Sequence, residues 1–256
     1  QARELAEEIV NSLTANLPHG ITKVTVAGPG FINFRLSAEL SYEILLEVLE
    51  NESSYGSSDR GSGKQVNVEF VSANPTGPLH AGHARGACYG DAIGNLLEYV
   101  GYSVHREFYM NDRGLQMAAF GRSLEARKNN ESPPEDGYGG EYVSEWAKEM
   151  PENLPLQEII AWGCEFAKND QQDTLSQLGI YFDTWFSEKS MIDNGEIVRV
   201  LANLAEKGMT YEKDGATWLS SVEFGDDKDR VLIKSDGEYT YLTPDVAYHR
   251  NKFERS

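Results

Sequence analysis

Leu5, Ile9 and Leu13 recur at helical spacing near the start of the chain, and Val24-Thr25-Val26 then reads as a strand. Gly28-Pro29-Gly30 forces a turn, Phe31 to Leu36 alternates apolar and polar residues as a second strand, and Leu40, Ile44, Leu45 and Val48 mark a second helix. These four elements make a small α+β unit over residues 1–55. The stretch from Asn51 to Lys64 is rich in Ser and Gly and lacks apolar periodicity, so a linker over residues 56–65 and a boundary near residues 51–65 are expected.

A larger domain is expected over residues 66–256. Val66 to Val71 reads as a buried strand that runs through a Pro/Gly loop into a long helix, with Ala92, Ile93, Leu96, Leu97 and Val100 as its apolar stripe and Gly101 at its end. Strand, rigid loop and helix open a Rossmann-like nucleotide fold. Val104 to Tyr109 gives another strand, and Leu115 to Arg127 a third helix. A Pro/Gly-rich loop at residues 131–140 and helical sequence from Glu141 to Leu178 read as an insertion between the halves of a sheet. Ile180 to Phe186 is β-prone, Glu196 to Lys207 is helical, and Asp214-Gly215 and Asp236-Gly237 are hairpin turns flanked by strands such as Arg230 to Lys234 and Tyr239 to Leu242. Val246 to Ser256 begins an amphipathic helix. Neither end of the chain carries a capping signal, which suggests a fragment. The fold class expected is α/β, a nucleotide-binding domain with an insertion after a small α+β domain.

Composition narrows the function classes. Hydrophobic residues at 40% and charged residues at 25% lie in the ordinary range of folded globular proteins. No apolar run approaches the roughly 20 residues that cross a bilayer, and the first residues form no signal sequence, so no membrane partner and a cytoplasmic location are expected. Cys88 and Cys164 belong to no C-x-x-C pair, which argues for reduced thiols and no structural zinc. The net charge of -18 opposes indiscriminate binding to phosphate backbones, so any nucleic-acid contact must be local.

The candidate chemistry lies at residues 72–83. A helix that starts after a strand aims backbone N–H groups and a positive dipole end at an anion. Pro75 and Pro78 stiffen the loop, while Gly77 and Gly82 lack a Cβ and admit a ligand to the main chain. His80 and His83, three apart, project toward one space and can stabilise a phosphoryl group in a transition state. The same residues also fit a tight connection with no ligand, and the pair lacks the spacing of a zinc protease site, so metal binding by it is not expected.

Glu69-Phe-Val-Ser-Ala-Asn-Pro-Thr-Gly-Pro-Leu-His-Ala-Gly-His-Ala-Arg-Gly86 resembles the first signature of arginyl-tRNA synthetases, with the family's H-I-G-H element as His80-Ala-Gly-His83. Further resemblances lie at Tyr109 to Gln116, Phe224 to Val231 and Tyr241 to Tyr248, in the family's order. The resemblance implies a class I synthetase that activates L-arginine with ATP and Mg²⁺ to arginyl-adenylate and then charges tRNA(Arg), in a protein expected to be monomeric. It implies His80 and His83 as catalytic residues; Thr76, Gly77, His80, Gly82 and His83 around ATP; and Glu69, Ser72, Ala73, Asn74, His83, Glu188, Tyr241 and Asp245 around L-arginine. By the residues alone, Tyr241 is equally a core tyrosine, Asp245 a helix N-cap and Glu188 part of a solvated loop.

Two departures from the family stand out. Pro244 occupies a position that is usually basic, and the lysine-rich K-M-S-K-S signature and the helical anticodon-binding domain are absent from these residues, so the chain alone is not expected to aminoacylate. The unit before residue 51, through Gly28 to Arg35, resembles the family's domain that recognises the tRNA elbow. A non-catalytic tRNA-binding or regulatory module is one alternative, and another H-x-G-H nucleotidyltransferase is a second.

Overall fold

The computed structural model describes residues 1–255, which divide into two compact units, Gln1–Ser58 and a second that begins at Asp59. In the first, helix α1 (Ala2–Ala15) precedes strands β1 (Ile21–Ala27) and β2 (Phe31–Leu36), which pair antiparallel around the Gly28-Pro29-Gly30 turn, and helix α2 (Ala38–Asn51) follows. Ser37 caps α2 by accepting the Leu40 N–H at 3.2 Å.

The second unit starts earlier than the Ser/Gly composition suggests. Gly61 and Gly63 donate backbone hydrogen bonds to Val100 and Gly101 at 2.7 and 2.8 Å, and Ser103 N–H reaches Lys64 O at 3.0 Å. Residues 59–64 are therefore fastened to the nucleotide fold rather than strung between domains.

Strands β3 (Gln65–Glu69), β4 (Ser103–Met110) and β5 (Thr184–Ser187) form a parallel sheet in that order. Parallel pairing demands crossovers. Helix α3 (Ala81–Tyr99) supplies the first, and the second runs through α4 (Gly114–Lys128), α5 (Glu141–Glu149) and α6 (Leu156–Gln177). Helices α5 and α6 fall in the expected insertion, and together with α4, which the sequence reading left outside it, they enclose a core of their own around Met117, Phe120, Leu124, Val143, Trp146 and Ile159. The sheet packs through Phe70, Ala73, Ala87, Phe108, Met110, Leu175 and Ile180.

Helix α7 (Glu188–Asp193) follows β5 directly, then α8 (Glu196–Glu206), and a small antiparallel sheet of β6 (Thr210–Lys213), β7 (Ala216–Leu219) and β8 (Arg230–Ile233). Helix α9 (Leu242–Arg255) ends the described residues and packs Ala247 and Tyr248 against Met191, Ile197 and Val200.

Several expectations require correction. The buried face of α3 is Ala87, Gly90 and Gly94, whereas Ile93 and Leu96 of the expected stripe are exposed. Phe70 comes so close that a Cβ on Gly90 would lie 2.2 Å from its ring, so small residues rather than large apolar ones set this contact. Of the β-prone segment only Thr184 to Phe186 lies in a strand, which runs on to Ser187, and Ile180 instead donates its N–H to Leu175 O at the end of α6. Tyr239 contributes a single bridge to Ile233 rather than a strand, and α9 begins four residues before Val246. Helix α7, unforeseen, is too short for an apolar period to register.

Candidate active site

The carboxyl ends of β3, β4 and β5 converge on one side of the parallel sheet, where ligands bind in open α/β folds. Chain leaving β3 is bent sharply. Val71 has φ +66° at the centre of a three-residue turn closed by Ser72 N–H to Phe70 O at 2.9 Å, and Ser72 follows at φ +46°. A β-branched residue in this rare turn stores strain of about 1–3 kcal/mol, which surrounding contacts must hold. Ser72 Oγ donates to Glu69 Oε1 at 2.9 Å and accepts Tyr109 N–H at 3.2 Å, so the bend is tied to both β3 and β4.

Further along, Thr76 N–H closes a second three-residue turn on Asn74 O at 2.9 Å. The Ala73 side chain is buried in the core, while Asn74 Nδ2 donates to Gln116 Oε1 on α4 at 2.5 Å. Thr76 is buried. A Cβ on Gly77 would lie 3.0 Å from the Tyr142 ring, so this glycine lets Tyr142 approach the loop closely.

His80 is the N-cap of α3. Its Nδ1 accepts the Gly82 N–H at 3.1 Å, and its own N–H donates to His83 Nδ1 at 3.3 Å. With both Nδ1 atoms accepting, the neutral rings carry their protons on Nε2. The rings stack with centroids 3.7 Å apart and planes 19° apart. Burial, then the neighbouring His80, lower the pKa of His83, which keeps it neutral at pH 7. Gly82 is close under this stack, and a Cβ there would lie 2.9 Å from His80 Cε1. Two neutral N–H donors at a helix start suit phosphate oxygens.

At the far end of β4, Asp112 accepts Ser187 Oγ–H at 2.5 Å and Lys189 N–H at 2.8 Å. It thereby fixes the start of α7 and Glu188 at its first position. Glu188 is buried, not part of a solvated loop, and lies 3.5 Å from Arg113 Nη1. The Tyr109 hydroxyl pKa is raised by burial first, then by Glu188, with Asp245 and Asp112 adding to the rise. Asp245 lies inside α9 rather than at its N-cap, and its pKa is raised by desolvation, with Glu69 adding to the rise. Glu69, Glu188 and Asp245 are thus gathered electrostatically around the β3 and β4 ends.

A buried network supports this acidic cluster. Glu107, fully buried on β4, accepts from Tyr248 Oη at 2.6 Å, Asn67 Nδ2 at 2.8 Å and Arg255 Nη2 at 2.9 Å. Burial raises its pKa, but donation from Arg255, Tyr248 and Asn67 outweighs that and leaves it below the usual carboxylate range. Tyr248 also reaches Glu69 Oε2 at 3.1 Å, and Lys252 pairs with the same oxygen.

Tyr241 stands apart, 94% exposed at the turn before α9 and not gathered into the cluster. Tyr109, Asp112 and Glu107 carry no signal of their own in the sequence. Tyr109 and Asp112 lie within the family-like segment Tyr109 to Gln116, which is the signal that points to them. Among the described residues, no group of three or more His, Cys, Asp or Glu side chains is arranged to hold a metal, and both histidine Nδ1 atoms are occupied. Cys88 and Cys164 are free, and burial pushes the Cys164 thiol up to about 12.

Residues 44–138 and 142–256 match the family described as tRNA synthetases class I (R), catalytic domain. This chain belongs to the class I arginyl-tRNA synthetase family. Residues 1–36 match the arginyl tRNA synthetase N terminal domain. An arginine–tRNA ligase of Staphylococcus aureus (strain JH9) is 44% identical over 269 residues, covering 99% of this chain and 48% of the relative. A Campylobacter jejuni arginyl-tRNA synthetase structure superposes with a TM-score of 0.75 at 34% identity, covering 86% of this chain and 52% of that one. The Thermus thermophilus arginyl-tRNA synthetase, at 24% identity and a TM-score of 0.69, covers 97% of this chain and 44% of its own and shares the fold. The chain spans about half the length of the curated relatives it matches.

Proposed function

We propose that the protein containing this chain is an arginine–tRNA ligase that activates L-arginine with ATP to arginyl-adenylate and transfers arginine to tRNA(Arg). The observation that carries this reading is the His80–His83 stack, whose Nδ1 atoms are held by backbone N–H groups so that Nε2–H remains the donor on each ring. In-line attack of a carboxylate on the α-phosphate needs alignment and charge stabilisation above all, and preorganised neutral donors supply both. Thr76, Gly77 and Gly82 complete the ATP-facing loop in this reading, and His83 also touches the amino acid.

For the substrate's other end, Glu69, Glu188 and Asp245 offer carboxylates to the ammonium and guanidinium groups, with Ser72, Ala73 and Asn74 along its backbone. Planar paired acceptors favour guanidinium over the lysine ammonium. Tyr241 completes this pocket if its ring turns inward from its exposed position when substrate binds. Pro244 does not obstruct the arrangement: it is buried in the first turn of α9, where a missing N–H leaves no hydrogen bond unmade. In the same reading Mg²⁺ enters with ATP, and the first unit contacts the tRNA.

The test is single-turnover adenylate formation by the whole protein with cognate tRNA present. Activation of arginine and not lysine is expected. Equal activation of lysine, or none of either, would refute the reading.

A further inference from the structure

The loop from Asn74 to Pro78 has carbonyl groups that neither the sheet nor α3 satisfies, and its two prolines contribute no N–H. Asn74 O accepts Thr76 N–H within the loop, and the insertion helices supply further donors. Gln171, on α6 and 1% exposed, places Nε2 at 3.1 Å from Asn74 O and 3.0 Å from Gly77 O. Tyr142 on α5 donates to Thr76 O at 2.9 Å, and burial pushes its hydroxyl up to about 12, so it remains a donor.

Gln171 gives both amide hydrogens to this one loop, while its Oε1 is buried without a partner among the described residues. An orphaned buried oxygen is unfavourable, and a residue retained only for volume would be apolar. A primary amide brings two N–H donors on one uncharged atom. Lysine would bring a charge, and glutamate would set an acceptor against two carbonyls.

We propose that Gln171 is a positioning residue for arginine activation. It fixes the span between the strained bend at Val71–Ser72 and the histidine stack, so that both ends of the loop keep their relative placement. This rests on the proposed adenylation reaction. A misplacement of about 1 Å in such a site costs on the order of 100-fold in rate.

The experiment compares the whole wild-type protein with Gln171→Met, Gln171→Glu and Tyr142→Phe, each with cognate tRNA. It measures single-turnover arginine activation, thermal midpoint and hydrogen exchange of the amides at residues 73–79. Gln171→Met should lower the maximal rate by roughly 10- to 100-fold, with a smaller change in KM for ATP. Tyr142→Phe, which removes one donor from the same loop, should lower it by roughly 3- to 10-fold. Gln171→Glu should be slower still at neutral pH and partly recover as pH falls, because the protonated carboxyl regains one donor. Exchange at residues 73–79 should quicken in both Gln171 variants.

A wild-type rate for Gln171→Met would overturn the proposal, as would equal Met and Glu variants with no recovery at low pH. If wild type activates no arginine, the functional reading fails; the exchange measurement then decides Gln171 by itself, with unchanged protection in Gln171→Met refuting the positioning role.

Discussion

Both ring nitrogens nearest the backbone in the histidine stack are engaged, which decides how the pair works as well as where it sits. The residue types and their spacing were legible in the sequence, but the tautomer depended on a capping geometry that only the folded helix start supplies. His83→Ala removes one Nε2 donor and the acceptor for His80 N–H, so adenylation should fall by about 100- to 1000-fold, measured as single-turnover formation with tRNA. Because folding lowers the His83 pKa, the unfolded chain binds this proton more readily. Its stability contribution is complete above the unfolded value near 6.5 and is lost as pH falls through the lower folded value. The activity of wild type should accordingly fall on an acid limb placed below that unfolded value, and a pH–rate profile flat to about pH 4 would contradict the role of neutral His83.

Helix α3 shows how an element can be read correctly and faced wrongly. Its existence followed from the stripe at Ala92 to Val100 and the Gly101 stop, yet its buried side is Ala87, Gly90 and Gly94 because Phe70 and Arg106 press against it. Gly90→Ala would gain up to about 1 kcal/mol in helix propensity, but a Cβ 2.2 Å from Phe70 should cost more, for a net loss of about 1–3 kcal/mol by denaturant titration. On β4 and α9, Glu107→Gln exchanges an acceptor for a donor opposite Tyr248, Asn67 and Arg255, and should destabilise by roughly 2–4 kcal/mol. Since folding depresses the Glu107 pKa, its contribution is present above the unfolded carboxylate value and is lost as pH falls through the folded one. The variant should therefore differ most from wild type at neutral pH and least in acid, which chemical unfolding at two pH values checks.

At the scale of the molecule, 41 acidic against 23 basic side chains make self-repulsion a standing cost of compaction. Raising ionic strength from about 0.02 to 0.2 M shortens the Debye length from roughly 20 to 7 Å, so the thermal midpoint should rise; a fall would show that specific ion pairs dominate instead. The same acidity is locally concentrated, with Glu69, Glu188 and Asp245 brought to one end of the sheet from β3, α7 and α9. Glu188→Gln in the whole protein should raise KM for arginine by about 10-fold or more and narrow its preference over lysine, read from activation rates with each amino acid. An unchanged preference would remove Glu188 from the side-chain pocket.

The sequence by itself determined the strand–loop–helix opening, the histidine pair, the insertion and the early α+β unit, because local periodicity, turn chemistry and a contiguous signature encode each of them. Tertiary structure alone decided that residues 59–64 belong to the nucleotide fold, that Asp112 sets Glu188 at the start of α7, and that Gln171 and Tyr142 hold the loop at residues 74–77. It also decided that Tyr241 remains outside the acidic cluster. Those relations join residues as many as 97 positions apart, and a periodic pattern records which way a side chain faces but not which distant donor meets it.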